Sequence, residues 1–202
     1  MRLALDPPSA MTLQLDRHGW LRPAPAVTRL PSPNVDARPP GAQVSLLVVH
    51  NITLPPGEFG GPYVADLFLN RLALGAHPWF ARLAGLRVSA HFFIRRDGGI
   101  VQFASVYDRA WHAGVSRFQG RERCNDFSVG VELEGTDHLP YTDAQYAVLA
   151  ELAQRLRARL PIRAAWGHED IAPGRKTDPG PAFDWPRFAR GAGFLRRDLP
   201  PR

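Results

Sequence analysis

The chain has 202 residues, 45% hydrophobic and 22% charged, the composition of one soluble globular domain with a sizeable core. Its net charge of +6 comes with scattered arginines, without a run of five like charges or a basic stripe interleaved with aromatics, which argues against a nucleic-acid partner. No apolar run nears the roughly 20 residues of a membrane span, Asp6-Pro7-Pro8 interrupts any signal-peptide core, and the lone Cys124 excludes an internal disulfide, so the expectation is a cytoplasmic protein with no membrane partner.

Residues 1 to about 40 are rich in proline and arginine and lack periodicity. They predict an extended arm, wrapped on the domain or partly disordered, rather than a second domain. "VSLLVVH" (44–50) is a short β-branched apolar run and predicts a buried strand ending at His50. A Pro/Gly-rich loop follows, and then "YVADLFLNRLAL" (63–74), where Val64, Leu67, Phe68 and Leu72 fall on one helical face. "HPWFARLAGL" (77–86) predicts a second short helix. "VSAHFFIRRDGGIVQFAS" (88–105) reads as a hairpin turning at Asp97-Gly98, a favoured tight-turn pair.

The segment from Trp111 to Phe127 predicts a long, glycine-containing loop. "SVGVELEG" (128–135) alternates strictly, with Val129, Val131 and Leu133 on one face and Gly130, Glu132 and Glu134 on the other. "YTDAQYAVLAELAQRLRARL" (141–160) predicts a long amphipathic helix capped by Thr142. "IRAAWGH" (162–168) predicts a last strand ending at His168, and "FDWPRFARGAGF" (183–194) a closing helix. This order contains no regular βαβ repeat. It predicts an α+β fold, a mixed central β-sheet flanked by helices.

Two of the seven histidines, His50 and His168, stand where an apolar strand gives way to a loop, a place where a rigid sheet presents an accessible side chain. Asp178 follows His168 by ten residues on a loop dense in proline and glycine. Two imidazoles and a carboxylate suit a catalytic zinc with one position left for water. Spacing alone leaves open that they are simply hydrogen-bonded strand-end residues. One of Glu132 and Glu134 could act as a general base on a rigid strand, or both could face solvent; alternation does not choose. Lys176 is the single lysine among 25 basic residues. A compact ammonium suits a small, crowded target such as an oxyanion, where a planar guanidinium fits badly.

The stretches "LLVVHNITLPPGEFGGPYV", "LRVSAHFFIRRDGGIVQF", "RAWHAGVSRFQGRERCNDFSVGVELEGTDHLPYTDAQY" and "GHEDIAPGRKTDPGPAFDWPRF" resemble the AmpD-like 1,6-anhydro-N-acetylmuramoyl-L-alanine amidases. These belong to a wider group that includes phage amidases and peptidoglycan-recognition proteins. The resemblance spans residues 27–190, leaving 1–26 as an N-terminal arm and 191–202 as a C-terminal tail. It implies the zinc amidase (peptidoglycan-recognition-like) fold, with Zn2+ on His50, His168 and Asp178, Glu132 as general base and Lys176 as transition-state stabiliser. It further implies cleavage between the lactyl group of the anhydro-sugar and L-alanine in cell-wall recycling. The expected partner is a small anionic muropeptide, met by a monomer. Arg87 and Arg123 resemble peptide-contacting positions, and Asn51, His91 and Trp111 are expected wall residues. The rivals are a periplasmic amidase on intact peptidoglycan and a non-catalytic peptidoglycan-binding module. The missing signal sequence disfavours the first, and the full set of ligands with Glu132 and Lys176 disfavours the second.

Overall fold

In the computed structural model, which describes residues 12–201, the segments predicted as strands at 44–50 and 128–135 lie side by side inside a six-stranded sheet. In chain order come β1 (Val27–Arg29), β2 (Val35–Ala37), β3 (Leu46–Ile52) and α1 (Tyr63–Phe68). A hairpin of β4 (Phe92–Ile94) and β5 (Ile100–Gln102) follows, then the short strands β6 (Asp108–Ala110), β7 (Arg117–Phe118) and β8 (Arg121–Glu122). β9 (Ser128–Glu134), α2 (Asp143–Arg159), β10 (Ala164–Gly167), α3 (His168–Ile171) and α4 (Trp185–Ala192) complete the chain. The sheet order is β1-β5-β4-β9-β3-β10; only the β4–β5 pair is antiparallel.

One sheet face carries the main core. Leu47, Val49, Val129, Val131 and Leu133 point into it, covered by Tyr146, Leu149, Leu152 and Leu156 of α2 and by Phe188 of α4. The helix α2 begins as expected: Thr142 Oγ1 accepts from Gln145 N (3.1 Å), and Gln145 Oε1 accepts from Thr142 N (3.1 Å), a reciprocal cap. Phe188 sits among Phe183, Trp185 and Phe194, so Phe188→Ala is expected to lower stability by roughly 3–5 kcal/mol, read from the denaturation midpoint. His50 and Glu132 lie on the other face of the sheet, with Leu46 and Val48, and should keep their positions in the folded molecule.

That other face is covered as well. Phe93, Val101 and Phe103 pack on Val64, Phe68 and Phe80 in one cluster, while Leu46 and Val48 pack on Ala113, Cys124 and Phe127 in another. Every residue of β9 is therefore buried, including Glu132 and Glu134, and the polar side of its alternation is not a solvated edge.

Several elements differ from expectation. The helix predicted over 63–74 stops at Phe68, because Asn70 takes a left-handed φ of 59° and its side chain pairs reciprocally with Asn34 (2.8 and 2.9 Å). Leu72 still packs on the α1 cluster. The second helix is a 3-10 turn, Pro78–Leu83. The loop before β9 contains the β7–β8 hairpin and a 3-10 turn, Cys124–Phe127. The arm is packed from residue 12: Leu13 and Leu21 enter the main core, and β1 adds a parallel edge strand to β5. Phe194 and Leu199, in the expected tail, enter the same core. The part of the arm before residue 12 lies outside the described residues.

Candidate metal centre

β10, β3 and β9 are parallel neighbours, so their C-terminal ends emerge along one edge of the sheet. His50 pairs directly with Glu132 in the β3–β9 register. Val49 pairs with Gly167, which brings the next residue, His168, beside His50. The loop after α3 supplies Asp178, whose carbonyl accepts from Glu169 N (2.8 Å). Pro179 lies 2.8 Å from where a Cβ on Gly167 would be, so the glycine lets this loop close on the strand. Tyr141 Oη donates to the Pro179 carbonyl (2.7 Å) and holds the loop from the opposite side.

Three ligand atoms converge. His50 Nδ1 and His168 Nδ1 are 3.0 Å apart, and Asp178 Oδ2 is 3.0 Å from the first and 3.1 Å from the second. His168 Nε2 lies 3.1 Å from the Ala113 carbonyl, which can only accept, so Nε2 donates there and Nδ1 is the nitrogen that faces the cluster. Burial, and then the His168 ring, push His50 down to about 4, so it is neutral. Burial works against the Asp178 carboxylate, yet the two histidines beside it hold it well below the usual range. Two imidazoles and a carboxylate aimed at one point are chemically a cation's ligand set, and the residues fit a metal ion.

The set opens on a cleft of about 540 Å³ that includes Glu132, Asp137, His138 and Lys176 among its polar lining and Trp79 and Leu83 among its apolar lining. Structure separates the two glutamates. Glu134 spends its oxygens on Gly60 N (2.5 Å) and Arg96 N (3.0 Å), holding two loops. Glu132 is buried in the cleft, and among the described residues nothing hydrogen-bonds its Oε2. Burial and the Asp178 carboxylate raise its pKa well above the carboxylate range, with Lys176 pulling the other way. Lys176 is exposed in the cleft and makes no ion pair among the described residues.

The expected substrate residues are scattered. Asn51 lines the cleft, its amide donating to Asp137 Oδ1 (2.9 Å) and the Pro179 carbonyl (3.1 Å). Arg87 is exposed next to the cleft residues Leu86 and Val88 but does not line the cleft itself. Arg123 has a left-handed φ of 61°, pairs with Asp126 (3.2 Å) and borders a separate depression. Two expectations are corrected. His91 is fully buried and accepts from Gly130 N (3.0 Å), filling space behind β9 rather than forming a wall. Trp111 is half-buried outside the cleft, its carbonyl accepting from Ser89 N (3.1 Å). Sequence reasoning missed His112, whose Nδ1 lies 2.9 Å from His50 Nε2, and Asp137, which orients Asn51. No local pattern marks either, since both act across more than 60 residues of chain.

Comparison with known proteins agrees with this geometry. The family model described as N-acetylmuramoyl-L-alanine amidase matches residues 40–181. A relative from Salmonella typhimurium (strain SL1344), named 1,6-anhydro-N-acetylmuramyl-L-alanine amidase AmpD, is 62% identical over 172 residues, covering 84% of this chain and 90% of its own. The crystal structure of a selenomethionine AmpD derivative superimposes with a TM-score of 0.83 at 59% identity, covering 88% of this chain and 98% of the other. The E. coli amidase AmiD, solved in complex with the substrate anhydro-N-acetylmuramic acid-L-Ala-D-γ-Glu-L-Lys, aligns with a TM-score of 0.54 at 29% identity, over 91% of this chain and 66% of that one.

Proposed function

The chain belongs to the N-acetylmuramoyl-L-alanine amidase family, and on that premise we propose that it is a zinc-dependent hydrolase of anhydro-muropeptides, cutting between the lactyl group of 1,6-anhydro-N-acetylmuramic acid and L-alanine. The observation that carries the reading is the grouping of His50, His168 and Asp178 in one cleft with Glu132 and Lys176. His50, His168 and Asp178 would hold Zn2+, which when bound supplies a Lewis acid that lowers the pKa of a coordinated water to about 7 and polarises a carbonyl.

The rest falls to the chain's own side chains. Glu132 takes the proton of the water that attacks the lactyl carbonyl, then delivers it to the alanine nitrogen as the C–N bond breaks. A raised carboxyl pKa suits both halves of that task. Lys176 donates to the carbonyl oxygen as it gains negative charge. Asn51 offers polar contact in the cleft, and Trp79 and Leu83 offer apolar surface to the substrate. Carboxylates of the stem peptide would extend past the cleft, where the exposed Arg87, next to Leu86 and Val88 of its lining, is available as a forked donor; Arg123, paired with Asp126 at a separate depression, would have to be reached from further away.

The proposal places this reaction in the cytoplasm, carried out by a monomer on a small anionic muropeptide. The buried, unpaired Cys124 suits a reducing compartment, and no helix of the described residues is long and apolar enough to cross a membrane. Treatment with a chelator is expected to abolish anhydro-muropeptide hydrolysis, and added Zn2+ to restore it, with metal content measured on the same samples. Full activity in metal-free protein would end this reading.

A further inference from the structure

Of the three grouped residues, His50 lies in β3 and His168 opens α3, while Asp178 lies on a loop. Its place therefore depends on what holds residues 178–182. The Asp178 carbonyl accepts from Glu169 N (2.8 Å), and the Pro179 carbonyl accepts from Tyr141 Oη (2.7 Å) and Asn51 Nδ2 (3.1 Å). Gly180 has a left-handed φ of 78°, and a Cβ there would fall 2.4 Å from Asp137 Cα, so glycine is what lets the two loops meet this closely. Just beyond, Ala182 N donates to the Asp137 carbonyl (3.0 Å).

Asp137 thus touches this loop with its backbone, and its side chain reaches the loop by one further step. A carbonyl can only accept, so the Asn51 atom that faces Pro179 is the amide nitrogen. That nitrogen also donates to Asp137 Oδ1 (2.9 Å), which commits both of its hydrogens. The carboxylate therefore decides which way the Asn51 amide is turned. With it in place Nδ2 points at the loop, and Asn51 has only Oδ1 left to offer a substrate. Without that acceptor the amide can turn over, which sets Oδ1 against the Pro179 carbonyl oxygen and loses the contact.

We propose that Asp137 is a positioning residue: by fixing the Asn51 amide it holds the Pro179 carbonyl, and with it the loop that carries Asp178 beside His50 and His168. The hold is a property of the metal-free chain. The inference rests on the zinc reading only in its consequence for metal affinity.

Hydrogen exchange of the Glu169 amide, which donates to the Asp178 carbonyl, reports in the metal-free protein whether the loop is closed. Competition with a chromophoric chelator reports zinc affinity. Asp137→Ala keeps the backbone contact with Ala182 and removes the acceptor. It should speed Glu169 exchange roughly 10-fold, as losing one hydrogen bond from the closed state would. Zinc binding should weaken by roughly 10-fold, the lower end of the effect of losing an outer-shell partner. Asn51→Ala breaks the same route at its other end, and serves where the first variant fails to fold. It should match both changes, and the double variant should be no worse than either alone, because each removes the same interaction. Asp137→Asn, whose Oδ1 can still accept from Asn51, should recover most of the hold; a carboxylate acting through its charge alone would not be rescued this way. Wild-type exchange and zinc affinity in folded Asp137→Ala would overturn the proposal. So would additive losses in the double variant, or an Asp137→Asn as impaired as Asp137→Ala. A wild type that binds no zinc, with Glu169 exchange still faster in Asp137→Ala, would sink the zinc reading and leave the hold standing.

Discussion

Glu132→Gln is expected to leave a folded, metal-binding protein that hydrolyses anhydro-muropeptide roughly 10²–10⁴-fold more slowly, the contribution of a positioned acid–base group. Glutamine keeps the side chain's volume inside β9 and can still make polar contacts, but it cannot take the water's proton. The fold should not suffer. A carboxyl with an oxygen buried and unpartnered is a burden on the native state, so its replacement should leave the melting temperature unchanged or raised. Loss of turnover with retained or increased stability is the signature of a residue kept for chemistry. Glu134→Gln is the natural comparison, because Glu134 holds Gly60 and Arg96 by hydrogen bonds rather than facing the cleft unpartnered. Steady-state kinetics, zinc content and thermal melting on both variants decide the matter. Near-wild-type turnover in Glu132→Gln would place the base elsewhere.

Lys176→Arg is expected to fold and to bind zinc while its kcat falls by roughly 10²–10³-fold, the loss typical of one oxyanion donor. Arginine serves at the other 24 basic positions of this chain, which holds 25 in all, so charge alone would not have reserved this one. Lys176 is exposed in the cleft and makes no ion pair among the described residues, which leaves its ammonium available to substrate. A guanidinium is wider and planar, and it would have to displace substrate or turn its donors away from the carbonyl oxygen. The interaction belongs mainly to the transition state, so KM should change less than kcat. Lys176→Ala should be at least as impaired. An arginine variant with near-wild-type kcat would reduce the lone lysine to an accident of composition.

What was legible in the sequence was what neighbours along the chain decide. The alternation of Val129, Val131 and Leu133 set one face of β9, the cap at Thr142 started α2, and Asp97-Gly98 turned the β4–β5 hairpin. The apolar runs ending at His50 and His168 put both imidazoles at strand ends, where the parallel register then joined them. Each of these depends on period, turn chemistry or capping within a few residues.

Only the tertiary structure decided what covers each face. Alternation put Glu132 and Glu134 on the same side of β9, but it took loops some 38 and 74 residues away to engage Glu134 and leave Glu132 in the cleft. Asn34, 36 residues upstream, meets Asn70 just past the point where α1 ends, short of its own apolar pattern. The proline-rich arm looked peripheral because its core residues, Leu13 and Leu21, show no period, yet a β-bridge between Leu15 and Leu21 folds it back onto the sheet. His91 was expected as a wall residue and His112 was not singled out; only the fold shows that Gly130 leaves room for the His112 ring over β9 and donates its own N–H to His91. A side chain's type and spacing state what it can do; which group it meets is set by contacts between segments far apart in the chain, and no local pattern encodes them.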